Sequence, residues 1–348
     1  MQKIIKLASV FFVGMLSFSS LAQEKVNYKI ACVGFYNLEN LFDYEDDPLI
    51  RDEEYMPDSE KAWDSTKYHT KLNHMAKVIS LIGTKYTPDG AAMLGVCEVE
   101  NKKVLEDLVK EPQIKNRDYK IVHFDSPDRR GIDVGFLYQE KYFKFKHANK
   151  YPVTFMDAPE KKTRDQLVIS GEMDGEEVNV IVAHWPSRGG GKQKSQPRRI
   201  EAAKVGRKII DSLMTVSPGA KIIYMGDLND DPVDVSCTDY IKAKGKRNKL
   251  KEGELYNTMW DYYKSGNGTL AWRDTWNLFD QIIISQALLS EDASTYVFHK
   301  SEVFRENFMI QQLGKYKGYP LRTFAAGQYM NGYSDHFPTY IILKKIAK

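Results

Sequence analysis

The sequence has 348 residues, of which 42% are hydrophobic and 28% are charged, and this composition argues against a disordered or membrane-embedded protein. The length is sufficient to bury one large hydrophobic core or two smaller ones. The 21 tyrosines and 5 tryptophans favour a β-rich protein with aromatic residues in exposed loops.

The beginning of the chain is typical of a signal peptide. Lys3 and Lys6 provide positive charge, residues 7–16 are apolar, and small residues stand at positions 20 and 22. The apolar stretch is too short to span a membrane comfortably, and no cysteine for a lipid anchor follows it. We therefore predict a signal peptide that is removed from the mature protein.

The predicted domain organisation and location follow from this segment. We expect a signal peptide at residues 1–22, cleaved near Ala22, and a single domain at residues 23–348, secreted or periplasmic and without stable membrane insertion. Removing two lysines from 50 basic residues leaves 48 against 47 acidic residues, a formal net charge of +1. The mature chain thus lacks the strongly basic character of an architectural nucleic-acid binder, although this net charge does not exclude local basic patches.

Two predicted strands in the first third of the chain end in polar residues. Residues 28–36 form a strand-like run that leads into Asn37, whose amide oxygen can hold a hard cation or form a turn. Residues 92–97 are continuously apolar, as in a strand buried on both faces, and lead to Glu98. Because packing explains this carboxylate poorly, we interpret Glu98 as a metal ligand.

The middle of the chain adds basic residues and a histidine beside predicted strands. Arg130 precedes one strand, where its guanidinium either recognises phosphate or belongs to an exposed turn. His184 ends another strand and is followed by Arg188 and by glycines at positions 189–191. The glycines suggest a phosphate cradle, but the Walker pattern is incomplete, so we interpret them as flexibility beside a site.

Asp227 and Asn229 follow a predicted strand at residues 221–225. If the extended geometry continues, alternation places both side chains on one side of the chain, where both can face one phosphate. An acidic turn is the alternative interpretation. Pro232 excludes an EF-hand loop, which requires glycine at that position.

The last part of the chain contains a carboxylate in an apolar strand and an Asp-His pair. Asp280 interrupts a run of apolar residues and needs a partner, for which a histidine is a natural choice. An aromatic and basic insertion at residues 299–330, which includes Arg322, leads to Asp335 and His336. In such a pair the carboxylate can bind a cation or orient the ring, and the imidazole exchanges a proton near neutral pH.

Strand-like runs recur along the chain with few helices between them and with no internal repeat, which favours one domain of packed sheets.

Taken in their order along the chain, the polar motifs resemble those of the endonuclease/exonuclease/phosphatase superfamily. The motifs are Phe35-Tyr36-Asn37, Val96-Cys97-Glu98, Gly226-Asp227-Leu228-Asn229, Asp280-Gln281-Ile282 and Ser334-Asp335-His336. The resemblance implies an α/β (α+β) fold, a four-layer α/β/β/α sandwich of two packed, mostly antiparallel sheets flanked by helices.

The resemblance also implies a role for each polar residue. Its metal ligands are Glu98, with help from Asn37 and Asp335, and its catalytic residues are His184, Asp227, Asn229, Asp280 and His336. Among the catalytic residues, the resemblance pairs Asp280 with His336 as a dyad. Oxygen ligands without clustered cysteine or histidine favour Mg²⁺, with Mn²⁺ or Ca²⁺ as alternatives.

These observations predict a secreted or periplasmic Mg²⁺-dependent phosphodiesterase, specifically an endonuclease whose Arg130, Arg188 and Arg322 bind the phosphate backbone. A lipid or small-molecule phosphodiesterase or phosphatase, similar to sphingomyelinase, is the alternative enzyme. A catalytically inactive binding module of the same fold is the alternative from another class, and the intact set of acidic and imidazole groups argues against it.

Overall fold

Apolar runs form the strands of two large β-sheets in the computed structural model, which describes residues 26–347, so the predicted signal peptide lies outside the described residues. In chain order, the strands are β1 (Tyr28–Leu41), β2 (Ala91–Val99), β3 (Tyr119–His123), β4 (Asp133–Gln139), β5 (Lys144–Tyr151), β6 (Gln166–Met173), β7 (Glu176–His184), β8 (Lys221–Asp227), β9 (Ala243–Lys244), β10 (Leu255–Asn257), β11 (Leu270–Trp272), β12 (Thr275–Asn277), β13 (Asp280–Ile284), β14 (Val297–Val303), β15 (Phe324–Ala325), β16 (Gln328–Tyr329) and β17 (Thr339–Ile346).

The helices begin at polar caps where the sequence provides them. They are α1 (Ser65–Leu81), α2 (Lys102–Val109), α3 (Lys192–Val216) and α4 (Trp260–Lys264). The Asp64 carboxylate accepts a hydrogen bond from the backbone N–H of Lys67 at the start of α1. The Asn101 side chain does the same for Val104 in α2. Each cap satisfies a backbone donor that has no partner within the helix.

The first sheet has the strand order β14-β17-β1-β2-β4-β3, and the second has the order β5-β6-β7-β8-β13-β10-β9. Most neighbouring strands are antiparallel, while β1 and β2, β7 and β8, and β9 and β10 run parallel. Two short hairpins, β11-β12 and β15-β16, lie outside these sheets. The mostly antiparallel sheets are those that the sequence predicted.

Alternating side chains divide the interior into three apolar clusters. Val33 and Phe35 of β1 pack with Ile223 and Met225 of β8 in the cluster between the sheets. The outer face of the first sheet packs against α1 and α2, and the outer face of the second packs against α3. The layers are therefore helix, sheet, sheet and helix, which confirms the predicted four-layer sandwich. None of the helices among residues 26–347 is long and apolar enough to cross a membrane.

Candidate active site

Strand register places three predicted residues at one edge of the second sheet. His184 ends β7 and lies opposite Asp227, which ends the parallel neighbour β8. Asp280 begins the antiparallel strand β13 and also lies opposite Asp227. All three residues are buried. Sheet geometry thus brings together side chains that are separated by almost one hundred positions.

Asn37 and Glu98 reach this edge from the first sheet. The Asn37 side-chain N–H₂ donates to Glu98 Oε1 at 3.2 Å and to Asp227 Oδ2 at 3.1 Å. Its amide oxygen instead accepts the backbone N–H of Glu39 at 2.9 Å. The amide oxygen, which is predicted to hold a metal, also accepts a hydrogen bond within its own turn, and the amide nitrogen positions the two carboxylates.

A local backbone distortion turns the Glu98 side chain toward the site. Glu98 has a φ of 59°, and the pairing of β2 with β4 shifts register between Cys97 and Val99. Its Oε2 accepts the backbone N–H of Asn40, another left-handed residue, at 2.9 Å. Such strained positions persist only where the surrounding contacts hold them, and they are frequent at functional sites.

His336 and Asp280 form a buried dyad. His336 Nδ1 lies 2.7 Å from Asp280 Oδ2, and the backbone N–H of His336 donates to Ser334 Oγ at 3.1 Å. Burial lowers the pKa of His336, but the carboxylates of Asp280 and Asp227 outweigh it and hold this pKa well above its ordinary value. The two carboxylates therefore favour the protonated form of the His336 imidazole.

Asp227 lies within reach of both imidazoles. Its Oδ2 is 3.7 Å from His184 Nε2 and 3.8 Å from His336 Nε2. Burial, together with the charges of Asp280 and Glu98, raises the pKa of Asp227 to about 7, although the His336 charge opposes this rise. Asp227 can therefore exchange a proton near neutral pH.

The pKa of His184 is shifted in the opposite direction from that of His336. Burial lowers the pKa of His184 well below its ordinary value, and the nearby charges of Arg164 and Arg130 lower it further. His184 Nε2 lies 4.0 Å from Glu98 Oε1. The surroundings thus shift the pKa values of the two histidines in opposite directions, an arrangement suited to acid-base chemistry.

Asn229 and Arg188 belong to one loop network beside the site. The Asn229 side chain donates to the Trp185 carbonyl at 3.0 Å, and Arg188 Nε donates to the Asn229 carbonyl at 2.9 Å. Arg188 Nη2 also lies 3.0 Å from Asp231 Oδ2 and 2.9 Å from Asp234 Oδ2. The Arg188 guanidinium therefore holds the Asn229 loop in place. That Arg188 also contacts the substrate is still a prediction.

The other two predicted arginines lie on different sides of the cluster. Arg130 is exposed, with Nε 3.6 Å from Asp128 Oδ1. Arg322 Nη2 donates to Asp335 Oδ2 at 2.7 Å. Burial raises the pKa of Asp335, but Arg322 and His336 outweigh this effect, so the pKa is lowered and the carboxylate stays charged.

The sequence interpretation missed a buried ion pair behind Asp335. Glu39 accepts the Thr323 backbone N–H at 2.7 Å, lies 3.3 Å from Arg322 Nε and lies 3.6 Å from Lys71 Nζ. Lys71 is only 2% exposed, although it lies on the apolar face of α1 beside Tyr68 and Leu72. A lysine at an apolar-face position is the signal that could have revealed this pair.

The donor set fits a divalent cation. Ligand atoms of Glu98, His184 and Asp227 lie within 4.8 Å of one another, and so do those of Asp227, Asp280 and His336. The charges of Glu98 and Asp280 both raise the pKa of Asp227, so a nearby positive charge would relieve their mutual repulsion. Carboxylate oxygens are the ligands that hard divalent cations prefer. Asp335 lies beside these groups, with Oδ1 4.0 Å from His336 Nε2.

Comparison with solved structures shows the same fold in proteins of low sequence identity. An endonuclease/exonuclease/phosphatase family protein from Bacteroides thetaiotaomicron has 16% identity and a TM-score of 0.56, with 92% of this chain and 97% of that chain covered. A mannosyl-6-phosphatase from the same species has 15% identity and a TM-score of 0.54, with 90% and 99% covered. TDP2 from D. rerio, complexed with a single-strand DNA product, has 16% identity and a TM-score of 0.52, with 90% and 98% covered.

No curated protein sequence matches the chain. The family model for the endonuclease/exonuclease/phosphatase family matches residues 32–345, which include every residue of the candidate site. The chain therefore belongs to the endonuclease/exonuclease/phosphatase family, and it is a metal-dependent phosphoric ester hydrolase.

Proposed function

We propose that the protein is a Mg²⁺-dependent phosphodiesterase that cleaves nucleic acid as an endonuclease after export from the cytoplasm. One observation carries this proposal: the Asp227 carboxylate lies within 3.8 Å of two imidazoles, and the surroundings lower the pKa of His184 while they raise the pKa of His336. Phosphodiester hydrolysis needs one group that takes a proton from water and another that gives a proton to the leaving oxygen.

The metal has a specific place in this scheme. A divalent cation, held by Glu98 and Asp335, would neutralise the negative charge that develops on the phosphoryl oxygens. Asn37 fixes the Glu98 carboxylate through its 3.2 Å hydrogen bond. Arg322 fixes the other carboxylate through its bond to Asp335 Oδ2. We propose Mg²⁺ because the candidate ligands include several carboxylate oxygens.

The side chains divide the proton transfers between them. Asp227 accepts the proton of the attacking water, because its raised pKa makes it a usable base near neutral pH. His336, whose pKa Asp280 raises, donates a proton toward the phosphate or the leaving oxygen. Neutral His184 offers a hydrogen bond to the same phosphate, and Asn229 completes the contacts near the attacking water.

A phosphosugar phosphatase is the second candidate function. A mannosyl-6-phosphatase has the same fold with a TM-score of 0.54, close to the 0.52 of the TDP2 complex with single-strand DNA. The near-neutral formal charge of the chain, +3 over all residues, suits either substrate. The two candidates differ in the bond cleaved, since a phosphosugar is a monoester and nucleic acid is a diester.

The test compares diester and monoester substrates under metal control. We expect the purified protein to hydrolyse bis-p-nitrophenyl phosphate and plasmid DNA, to stop when EDTA is added, and to recover with Mg²⁺. Preference for p-nitrophenyl phosphate or mannose 6-phosphate over both diesters would support the phosphatase instead. Activity that survives EDTA would contradict either metal-dependent function.

Export is a separate part of the proposal. It is supported by the lysines, the apolar stretch and the small residues within positions 1–22. We expect the N-terminus of the protein recovered from cell envelope or medium to begin at Gln23. Recovery of a chain that retains residues 1–22 in the cytoplasm would contradict export.

A further inference from the structure

Two cavities border the candidate site at opposite ends of one row of strands. His184 of β7, Asp227 of β8 and Asp280 of β13 stand side by side in the second sheet. Pro186 and Ser187, just after β7, line a cavity of about 420 Å³. The hairpin β11-β12, just before β13, lines another of about 550 Å³. A substrate that extends beyond the scissile phosphate in both directions therefore meets a different cavity on each side.

The cavity beside His184 is basic. Its cationic lining residues are Arg129, Arg130, Lys161, Lys162, Arg164 and Arg198. The acidic residues that line it are Asp128 and Glu160, and Asp128 is paired with Arg164 at 3.0 Å. Within residues 26–347, neither Lys162 nor Arg198 has an ion-pair partner. The cavity thus carries an excess of positive charge.

Two polar atoms of residues lining this basic cavity lack partners in the described part of the chain. Thr163 Oγ1 and Arg164 Nε are buried without a hydrogen bond. An unsatisfied buried polar group is costly, so an anion that accepts hydrogen bonds from this wall would be stabilised. Arg164 Nη2 also donates to the Trp185 carbonyl, which accepts the Asn229 side chain as well. The basic cavity is therefore linked to Asn229, a predicted phosphate-binding residue, because Arg164 and Asn229 donate to the same Trp185 carbonyl.

The cavity that the β11-β12 hairpin lines is aromatic. Trp272 is 62% exposed and Tyr316 is 45% exposed, and both line the cavity. The Tyr319 hydroxyl donates to Asp274 Oδ1 at 2.6 Å and so fixes the β11-β12 hairpin to the long insertion. Arg322, which contacts Asp335, also lines the cavity and connects it to the reactive centre. Exposed aromatic faces beside cations are suited to stacking with nucleobases.

Resting on the proposed function, we propose that a single strand of nucleic acid crosses the reactive centre from one cavity to the other. The phosphate next to the scissile one occupies the basic cavity, and an unpaired base stacks in the aromatic cavity. A phosphosugar or sphingomyelin, with one phosphate and no base, would fill neither cavity in this way. The structure thus assigns Lys162, Arg198 and Trp272 to substrate selection rather than to bond cleavage.

The test separates the two cavities by substrate. The full-length mature protein is assayed on bis-p-nitrophenyl phosphate, on single-stranded tetrathymidylate and on an abasic tetramer of the same length. The variants are Lys162→Gln combined with Arg198→Gln for the basic cavity, and Trp272→Ala for the aromatic cavity. Lys208→Gln is the control, because this exposed lysine lies on α3 with Arg198 but does not line the cavity.

We expect the basic-cavity variant to lose at least about tenfold more kcat/KM on both tetramers than on the one-phosphate ester, since two phosphate-binding cations are removed. Trp272→Ala is expected to lose about tenfold more on tetrathymidylate than on the abasic tetramer, because only the former has bases to stack. Equal losses on all three substrates would overturn the assignment of the cavities. Absence of EDTA-sensitive hydrolysis of every substrate would instead overturn the proposed function.

Discussion

The Asn37 side-chain amide donates a hydrogen bond to the Asp227 carboxylate at 3.1 Å, although the two residues belong to different sheets. The Asn37 carbonyl also accepts a hydrogen bond from Ser334 Oγ at 2.8 Å, which ties in the segment that carries His336. The geometry of the site therefore depends on how the two sheets pack. Changes at the site and changes in sheet packing should affect one another.

The dyad makes a prediction about pH. Asp280 raises the pKa of His336 against the effect of burial, so Asp280→Asn should lower that pKa. If His336 acts in its protonated form, activity falls as pH rises through its pKa, and in Asp280→Asn this fall should occur at lower pH. We expect kcat/KM on bis-p-nitrophenyl phosphate to drop about 10²-fold or more at pH 8.

The measurement is a pH profile of kcat/KM for the wild type, for Asp280→Asn and for the control His147→Ala, an exposed histidine on β5. The control should retain the wild-type profile. An alkaline limb that does not move in Asp280→Asn would contradict a protonated His336 in the reaction.

The buried pair of Lys71 and Glu39 makes a prediction about stability. Lys71→Met removes the cation 3.6 Å from Glu39 Oε2 and leaves a buried carboxylate with less compensation. We expect a loss of about 3 kcal/mol in the free energy of unfolding. Combining Lys71→Met with Glu39→Gln should recover part of this loss, since both charges are then absent. Urea unfolding measures both values, and additive losses would contradict coupling.

Glu302 provides a prediction about acid stability far from the site. Burial raises its pKa, but hydrogen bonds from Lys300, Tyr340 and Tyr86 outweigh this and lower the pKa to about 2. Because the folded pKa lies below the unfolded value of 4.5, the stabilisation is complete above pH 4.5 and is lost as pH falls toward 2. We expect Glu302→Gln to be less stable at pH 7 by roughly 1–2 kcal/mol, since partial exposure screens the charge.

Urea unfolding of the wild type and Glu302→Gln at pH 7 and at pH 2.5 measures this difference. The two proteins should differ at pH 7, and the difference should be clearly smaller at pH 2.5, because most of the linked stabilisation is lost as pH falls toward the folded pKa. The same difference at both pH values would show that the contacts act without the charge.

A substitution of Arg188 tests whether this residue positions the Asn229 loop or contacts the substrate. Its guanidinium lies 3.0 Å from Asp231 Oδ2 and 2.9 Å from Asp234 Oδ2 and donates to the Asn229 carbonyl. We expect Arg188→Gln to lower kcat on bis-p-nitrophenyl phosphate with little change in KM, because the Asn229 loop is displaced. A rise in KM alone would support the direct phosphate contact that the sequence predicted.

The sequence predicted the fold because most motifs stand at or near strand ends, and sheet geometry brings such ends together. Asn37 is the exception, because β1 continues past it to Leu41. Asn37, Glu98, Asp227 and Asp280 each lie in or beside a strand, so their convergence follows from the layers. The order of these motifs along the chain indicated the family to which the protein belongs. The roles assigned to these residues stay predictions until activity is measured.

Other features depend on contacts that the sequence does not display. The predicted insertion at residues 299–330 begins within β14, which pairs with β17 at the sheet edge. Pro197 is typical of the first turn of a helix, but α3 begins five residues earlier at Lys192, where side-chain hydrogen bonds of Ser195 and Arg199 hold its first turns. These contacts involve residues that, in the sequence alone, are typical of polar surfaces or turns.

Arg188 and Glu39 illustrate the same limit at long range. Arg188 is near His184 in sequence, but its partners Asp231 and Asp234 lie more than 40 positions later. Glu39 is near Asn37, but it contacts Thr323, which is 284 positions away. Short motifs identify the residues at the reactive centre and do not identify the residues that hold them in place.

The most direct test of the account is the dependence of bis-p-nitrophenyl phosphate hydrolysis on Mg²⁺ concentration in the wild type and in Glu98→Gln. If Glu98 is the principal ligand of one catalytic cation, the variant should need at least about tenfold more Mg²⁺ for half-maximal activity and should lose the increase in Tm that Mg²⁺ gives the wild type. Identical Mg²⁺ dependence in the two proteins would contradict the proposed metal site.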